Sequence, residues 1–392
     1  MIHPATRSRR ARAFLLALAA CGSLAACQGR EAAEGAAGGF PDEATRRRTA
    51  ASVTLVARSD PAAVFTTITG LDVDGSGRVY VGEWSGRLVV LNAAGQVERT
   101  LGRRGEGPGE FRSTRGVQVL SGDSVMAYDP RLSRVTVFPP ETERAAYVVN
   151  LRARIGGEPF EVRRFPDGVL VALFRPTFTT SDRDSDLARR ADVLQVLTPE
   201  GTLEGEPLLS FPSRSFLTVR DGGTFHMTPH PFGREGLFAL GTGDRIHFAW
   251  TDSLRVRSYD RSGAQVAEIV GGHAAPRVTD ADVNAVLATM SDRSRTVYQG
   301  VLADSLPERW PAVRGLLADE DGRLWVGLSG ADPDTEEWAV FTADGGYLRS
   351  VLVPRGLSVR AVRAGVLYAV RTDELDVPEV VSFRLTLPLV PS

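Results

Sequence analysis

Leu71-Asp72-Val73-Asp74-Gly75-Ser76-Gly77-Arg78-Val79-Tyr80-Val81 recurs later as Leu316-Leu317-Ala318-Asp319-Glu320-Asp321-Gly322-Arg323-Leu324-Trp325-Val326. Each copy is an apolar strand end, an Asp/Gly turn and a short alternating strand. Gly and Asp stand where a tight hairpin demands positive φ. A second strand and another Gly turn follow each copy: Gly86-Arg87-Leu88-Val89-Val90-Leu91 with Ala94-Gly95, and Trp338-Ala339-Val340-Phe341 with Asp344-Gly345. Less regular copies run through residues 124–138, 193–201, 244–263 and 365–385.

Short alternating strands with closely spaced turns predict an all-β fold. Recurrence of whole four-strand units selects a propeller over a sandwich or barrel. The spacing predicts a six-bladed β-propeller of four-stranded antiparallel blades, centred near residues 71–100, 116–150, 160–211, 235–270, 312–352 and 356–386. Seven blades is the alternative. Val79, Val81, Leu324 and Val326 are expected between neighbouring blades. The last blade lacks an obvious fourth strand. Ser52-Val53-Thr54-Leu55-Val56-Ala57 has the right pattern, and pairing there closes the ring so that no sheet edge stays open.

Two stretches break the cadence. Residues 176–190 are rich in Asp, Arg and Thr and read as a solvated loop within the third blade. Residues 279–290 read as a helix within an insertion at about 274–311. Thr279 caps it with Asp282 three residues on, and Val283, Val286, Leu287 and Met290 share one face. That helix packs on the propeller or forms a lid over the channel mouth.

Upstream of the repeats, Arg7, Arg9, Arg10 and Arg12 precede a short apolar run, Phe14 to Ala20, too short for a helix to cross a bilayer of about 30 Å. Small residues then lead to Leu24-Ala25-Ala26-Cys27. An ordinary cleaved signal and a signal anchor are the alternatives. This segment resembles bacterial lipoprotein signals. The resemblance implies removal of residues 1–26 and a diacylglyceryl thioether on Cys27, a durable membrane anchor. Leu18-Ala19-Ala20-Cys21 is a second lipobox, but Cys27 leaves an apolar stretch of normal length before the cut. Gln28, rather than Asp, implies sorting to the outer membrane. Residues 27–50 read as a flexible tether, Gly/Ala/Glu-rich and then Arg46-Arg47-Arg48, and residues 51–388 as the propeller.

Composition narrows the chemistry. Cys21 and Cys27 are the only cysteines of 392 residues, so the expected mature domain has no disulfide, thiolate nucleophile or Cys-ligated zinc. The chain has no lysine, which excludes Schiff-base chemistry and a P-loop. Loss of the four signal arginines takes the formal charge from −2 to −6, unsuited to nucleic acid. No cofactor is expected.

Gly102-Arg103-Arg104-Gly105-Glu106-Gly107-Pro108-Gly109-Glu110-Phe111, before a strand starting at Gly116-Val117, resembles NHL-repeat propellers. It resembles more closely the bacterial "6-bladed β-propeller" lipoproteins. Leu306-Pro307-Glu308-Arg309-Trp310-Pro311 and Pro229-His230-Pro231-Phe232 extend that likeness across about residues 52–388. These motifs imply fold and little about activity.

Several patterns suggest chemistry and fail on context. Asp72, Asp74, Ser76, Gly77 and Glu83 match an EF-hand loop, but strands rather than helices flank them. Gly105, Gly107 and Gly109 are interrupted by Pro108 and precede no helix, unlike a dinucleotide loop. His226 and His230 have zinc-like spacing in a Thr/Pro-rich stretch, and two nitrogens do not make a site. No metal site is expected. Lactonases of this architecture hold calcium through a Glu, two Asn and an Asp; here Asn92 lies at an outer turn, Asn150 ends an outer strand and Asn284 is in the helix.

The expected function is therefore a lipid-anchored, monomeric, non-catalytic binding or scaffold propeller in the cell envelope. Its partner is a protein, peptide or glycan. The alternative is a lactonase-type hydrolase or lyase with channel-bound calcium. Loops on one face of the ring carry the expected site: Arg104, Glu106, Glu110 and Arg115, with Trp84 and Arg314 if they reach the channel, and His226 and His230 at a blade edge. Phe111 and Trp325 are assigned to inter-blade core.

Overall fold

Alternate residues along the second strand of each blade face opposite neighbours, and this period of two builds the ring. Val79 and Val81 pack against Tyr368 and Val380 of the last blade, while Tyr80 between them faces Phe111, Val117 and Ala127 on the other side. Leu324 and Val326 join Val256 and Ile269 of the fourth blade, while Trp325 joins Leu367 and Phe383 of the last. The remaining interfaces are built the same way. Covered on both faces, Val79–Glu83, Val125–Asp129, Leu170–Phe174 and Leu324–Leu328 are buried along their whole length. Each fully buried aliphatic side chain contributes roughly 1.5–3 kcal/mol, so the core is a circle of wedges.

The computed structural model describes residues 39–176, 190–221, 224–290, 292–372 and 377–386. The segment read as an export signal, both lipobox-like stretches with Cys21 and Cys27, and most of the 176–190 excursion lie outside the described residues. Six four-stranded antiparallel sheets form the blades. Their innermost strands, in order, are Ile68–Val73, Val117–Val119, Pro159–Arg164, Gly236–Leu240, Val313–Ala318 and Ser358–Arg363. The sixth blade takes its outer strand, Val53–Arg58, from the start of the chain, paired antiparallel with Pro378–Leu385. This is the closure the sequence predicts.

The repeated turn has a defined job. Asp74 Oδ1 accepts from the Ser76 and Arg78 backbone N–H groups, and Oδ2 accepts from the Tyr80 hydroxyl at 3.1 Å. In the fifth blade Asp319 accepts from the Asp321 and Arg323 N–H groups and from the Trp325 indole at 3.0 Å. The aspartate thus ties the turn to the aromatic residue that wedges into the next blade interface. Inside the blades, Gly70 and Gly82 pair across strands and admit the second blade: a Cβ at Gly70 would meet the Val117 nitrogen at 2.7 Å.

Three features depart from the expectations. The folded part begins upstream of the expected boundary at residue 51: helix α1, Glu43–Arg48, docks on the fifth blade with Arg46 buried. The region read as a Thr/Pro-rich loop is a hairpin, Phe216–Asp221 with Thr224–Pro229, paired apart from the blades. The insertion holds two helices, α2 at Asp280–Ala288 with the predicted Thr279/Asp282 capping box, and α3 at Asp292–Ser305. Leu287 and Leu302 of these helices bury against Leu217 and Phe232, with Trp310 packed alongside. The helices therefore stand on the hairpin, and among the described residues none of theirs lines the central channel. None of the described helices is long and apolar enough to cross a membrane.

Candidate functional site

The inner strands surround a channel with a cavity of about 660 Å³. Polar side chains lace one blade to the next. Asp72 accepts from the backbone N–H of Val119 in the second blade at 2.8 Å. Gln118 exchanges two 2.8 Å hydrogen bonds with the Arg164 backbone in the third. Arg163 pairs with Glu161 at 2.7 Å and donates to the Val117 carbonyl at 3.1 Å. Arg363 joins the fifth blade, through Glu320 at 3.0 Å, to the Val73 carbonyl of the first. Burial raises the Asp72 pKa against the two backbone N–H groups it accepts. Burial, then Arg163, lowers that of Arg360, which enters the same channel.

The mouth where the inner strands begin is different. Arg115 lies two residues before the second blade's inner strand. Its Cζ lies 4.1 Å from the Phe160 ring centroid and 5.6 Å from that of Trp84. Phe160 belongs to the third blade's inner strand and also receives Arg175 at 4.0 Å and Arg214 at 5.9 Å. Arg131 lies over Trp84 at 5.3 Å. Arg175 is held by buried Asp192 at 2.9 Å, and it shares Glu235 with Arg214 at 3.5 and 3.9 Å. Burial depresses the pKa of Arg115 and of Arg214, and the charge of Arg175 adds to both effects. Guanidinium stacking on ring faces is favourable by roughly 0.5–2 kcal/mol each.

Of the residues selected from sequence, the fold brings Arg115 and Trp84 together. Arg314 lines the channel but is neutralised by Glu336 at 2.7 Å. Glu110 accepts from Arg103 at 2.7 Å and from the Gly107 N–H at 2.9 Å, and these bonds, the backbone one foremost, lower its pKa. Glu106 pairs with Arg112 and its carbonyl accepts from Arg134. Arg104 is exposed on a two-residue strand beside Glu110–Phe111. This glycine-rich link is a buckle between blades, and Phe111 is buried in their interface as expected. Trp325 is likewise core.

His230 uses both ring nitrogens: Nδ1 accepts from the Phe232 N–H at 3.1 Å and Nε2 faces the Ser305 carbonyl at 3.2 Å. Burial lowers its pKa. His226 lies in the hairpin, opposite Val219. The EF-hand match is dispersed: Asp72 faces the channel, Asp74 closes its turn, and Glu83 holds Arg87 and the Thr66 N–H. Asn92 shapes a turn by accepting from the Ala94 and Gln96 N–H groups, Asn150 ends an outer strand, and Asn284 is exposed on α2. Among the described residues, no three His, Cys, Asp or Glu side chains converge.

Phe160, Arg175, Arg214 and Glu235 were not among the residues selected from sequence. The available signal was position. Phe160 is the second residue of the third blade's inner strand, and Arg214 and Glu235 lie on the link into the fourth.

No protein-family model matches the sequence, and no curated protein matches it. Among solved structures, the chain is similar to a DUF4221 family member from Bacteroides vulgatus, with TM-score 0.49, 10% identity, and 87% of this chain and 99% of that one covered. It is similar to a Bacteroides fragilis protein described as exported, with TM-score 0.45, 11% identity and coverage of 87% and 96%. It is also similar to a calcium-binding regucalcin from Agrobacterium tumefaciens, with TM-score 0.44, 11% identity and coverage of 87% and 98%. At such identities no ligand or activity passes from those proteins to this chain.

Proposed function

We propose that this chain is a lipid-anchored envelope propeller that binds a ligand at the Arg115 mouth and performs no chemistry on it. The observation that supports this reading is a contrast. The channel's carboxylates Asp72, Glu161, Glu320 and Glu336 are each engaged by an arginine or by backbone N–H groups, whereas the mouth presents stacked arginines and a half-exposed Trp84, 37% accessible. A general acid or base must reach a substrate proton with a suitable pKa. Glu161 pairs with Arg163, Glu336 with Arg314, and Asp72 with two backbone N–H groups. Aromatic and arginine side chains on a rigid rim suit recognition instead. Anchoring through Cys27 in the outer membrane, and a protein, peptide or glycan partner, are parts of the same proposal.

The test is capture from detergent-solubilised envelopes with the full chain and with a Trp84→Ala/Arg115→Gln double variant. The wild type retains a specific partner that the variant loses. Equal retention by both, or calcium-dependent lactone hydrolysis by the wild type, contradicts the proposal.

A further inference from the structure

Arg115 sits between two aromatic rings, and among the described residues its guanidinium edge has no partner. Its Cζ stacks over Phe160 at 4.1 Å and lies 5.6 Å from the Trp84 centroid. Among the described residues no acceptor meets its N–H groups, although five donors project in the guanidinium plane. Arg214 adds an orphan: its Nε is buried with no hydrogen-bond partner among the described residues. Two half-buried cations with unclaimed donors thus flank one ring, at a mouth partly withdrawn from water. An opposite charge is worth more there than at an open surface.

We propose that this mouth binds a singly charged organic carboxylate, whose oxygens take the in-plane donors of Arg115 and Arg214 and whose apolar body lies against Trp84. The proposal rests on the binding reading above and names its ligand class. Three arginines gather around Phe160, and Asp192 and Glu235 offset two of them. The remainder is one positive charge, which matches a carboxylate and leaves a phosphate dianion underpaired. Arg131, 5.3 Å from the Trp84 centroid, is itself exposed, so solvent and salt screen its charge. A planar guanidinium fixed by stacking meets a carboxylate edge-on with little further ordering.

Isothermal titration of the full chain in detergent, with benzoate, neutral benzamide and inorganic phosphate at one ionic strength, tests the proposal. Benzoate binds at one site, at least tenfold more tightly than either of the others. Arg115→Gln lowers benzoate affinity at least tenfold, Arg115→Lys lowers it in part, and Arg48→Gln, at an exposed arginine of α1, leaves it unchanged. Benzamide or phosphate binding as tightly as benzoate, or an Arg115→Lys protein equal to wild type, overturns the proposal. If no probe binds while a partner is still captured through Trp84, the ligand class fails and the binding reading stands. If capture fails as well, both fall.

Discussion

Arg46 sets its guanidinium edge against Glu337, Nε 2.6 Å from Oε1 and Nη2 3.2 Å from Oε2, although 291 residues separate them in the chain. Both side chains are nearly inaccessible, at 1% and 4%. Arg46 Nη1 also donates to the Pro41 carbonyl at 2.6 Å, and Phe40 lies under the guanidinium at 4.3 Å. Ser350 supplies Glu337 with a further hydrogen bond at 2.5 Å. The segment just ahead of the closing strand is thereby bolted to the blade beside the one it completes.

Breaking one side of such a pair strands a buried charge, which costs about 3–5 kcal/mol. Arg46→Ala is expected to lose that much stability in guanidinium chloride unfolding. Replacing both residues by Met recovers much of it. An Arg46→Ala protein as stable as wild type refutes the role given to α1.

Gly70 tests the blade contact. Its missing Cβ makes room for the Val117 nitrogen at 2.7 Å and the Gly116 carbonyl carbon at 3.0 Å, backbone that cannot rotate away. Gly70→Ala is expected to lower stability by about 1–3 kcal/mol by overpacking. Gly272→Ala, with nothing within 4 Å, leaves the melting temperature unchanged.

Acid sensitivity should trace in part to His247. It is 1% accessible and bonded through Nδ1 to the Ser258 hydroxyl at 2.7 Å. Burial, with the nearby Arg245 charge, pushes its pKa down from 6.5 to about 4. The unfolded chain therefore takes up a proton near pH 6.5 and the folded chain only near pH 4. Stability present above pH 6.5 is lost progressively down to about pH 4, roughly 3 kcal/mol in all. His247→Gln flattens that part of the pH profile between 7 and 5 in urea unfolding. A variant with the wild-type slope shows that the histidine is not responsible.

Lipid anchoring has its own readout. Full-length protein labelled with radioactive palmitate in a Gram-negative host is expected to carry label and partition into Triton X-114. Cys27→Ala abolishes both, and Cys21→Ala abolishes neither. Label lost with Cys21 alone moves the processing site six residues upstream.

Blade positions were legible because the repeated Asp/Gly turn and the period-two strands are local signals, and both faces of a blade strand must be apolar. The closing strand was legible because the last blade was visibly one strand short. Helix α1 was not: its Gly/Ala/Glu-rich surroundings read as tether, and the partner that buries Arg46 is Glu337, at the far end of the chain. The hairpin at 216–229 was missed because its apolar residue Leu217 serves the helices rather than a blade interface. At the mouth, residue type alone marked Arg115 and Trp84. Phe160, Arg175 and Arg214 become their neighbours only when the first four blades curve around the axis.

Hydrogen exchange of the full chain, with and without its captured partner or a saturating carboxylate, tests the central claim most directly. The account predicts slowed exchange at the Glu83–Arg87 turn, the Arg115 approach and the Phe160 strand start. Turns on the opposite rim, at 74–78 and 319–323, remain unchanged. Protection confined to that opposite rim, or none at the Arg115 mouth, contradicts it.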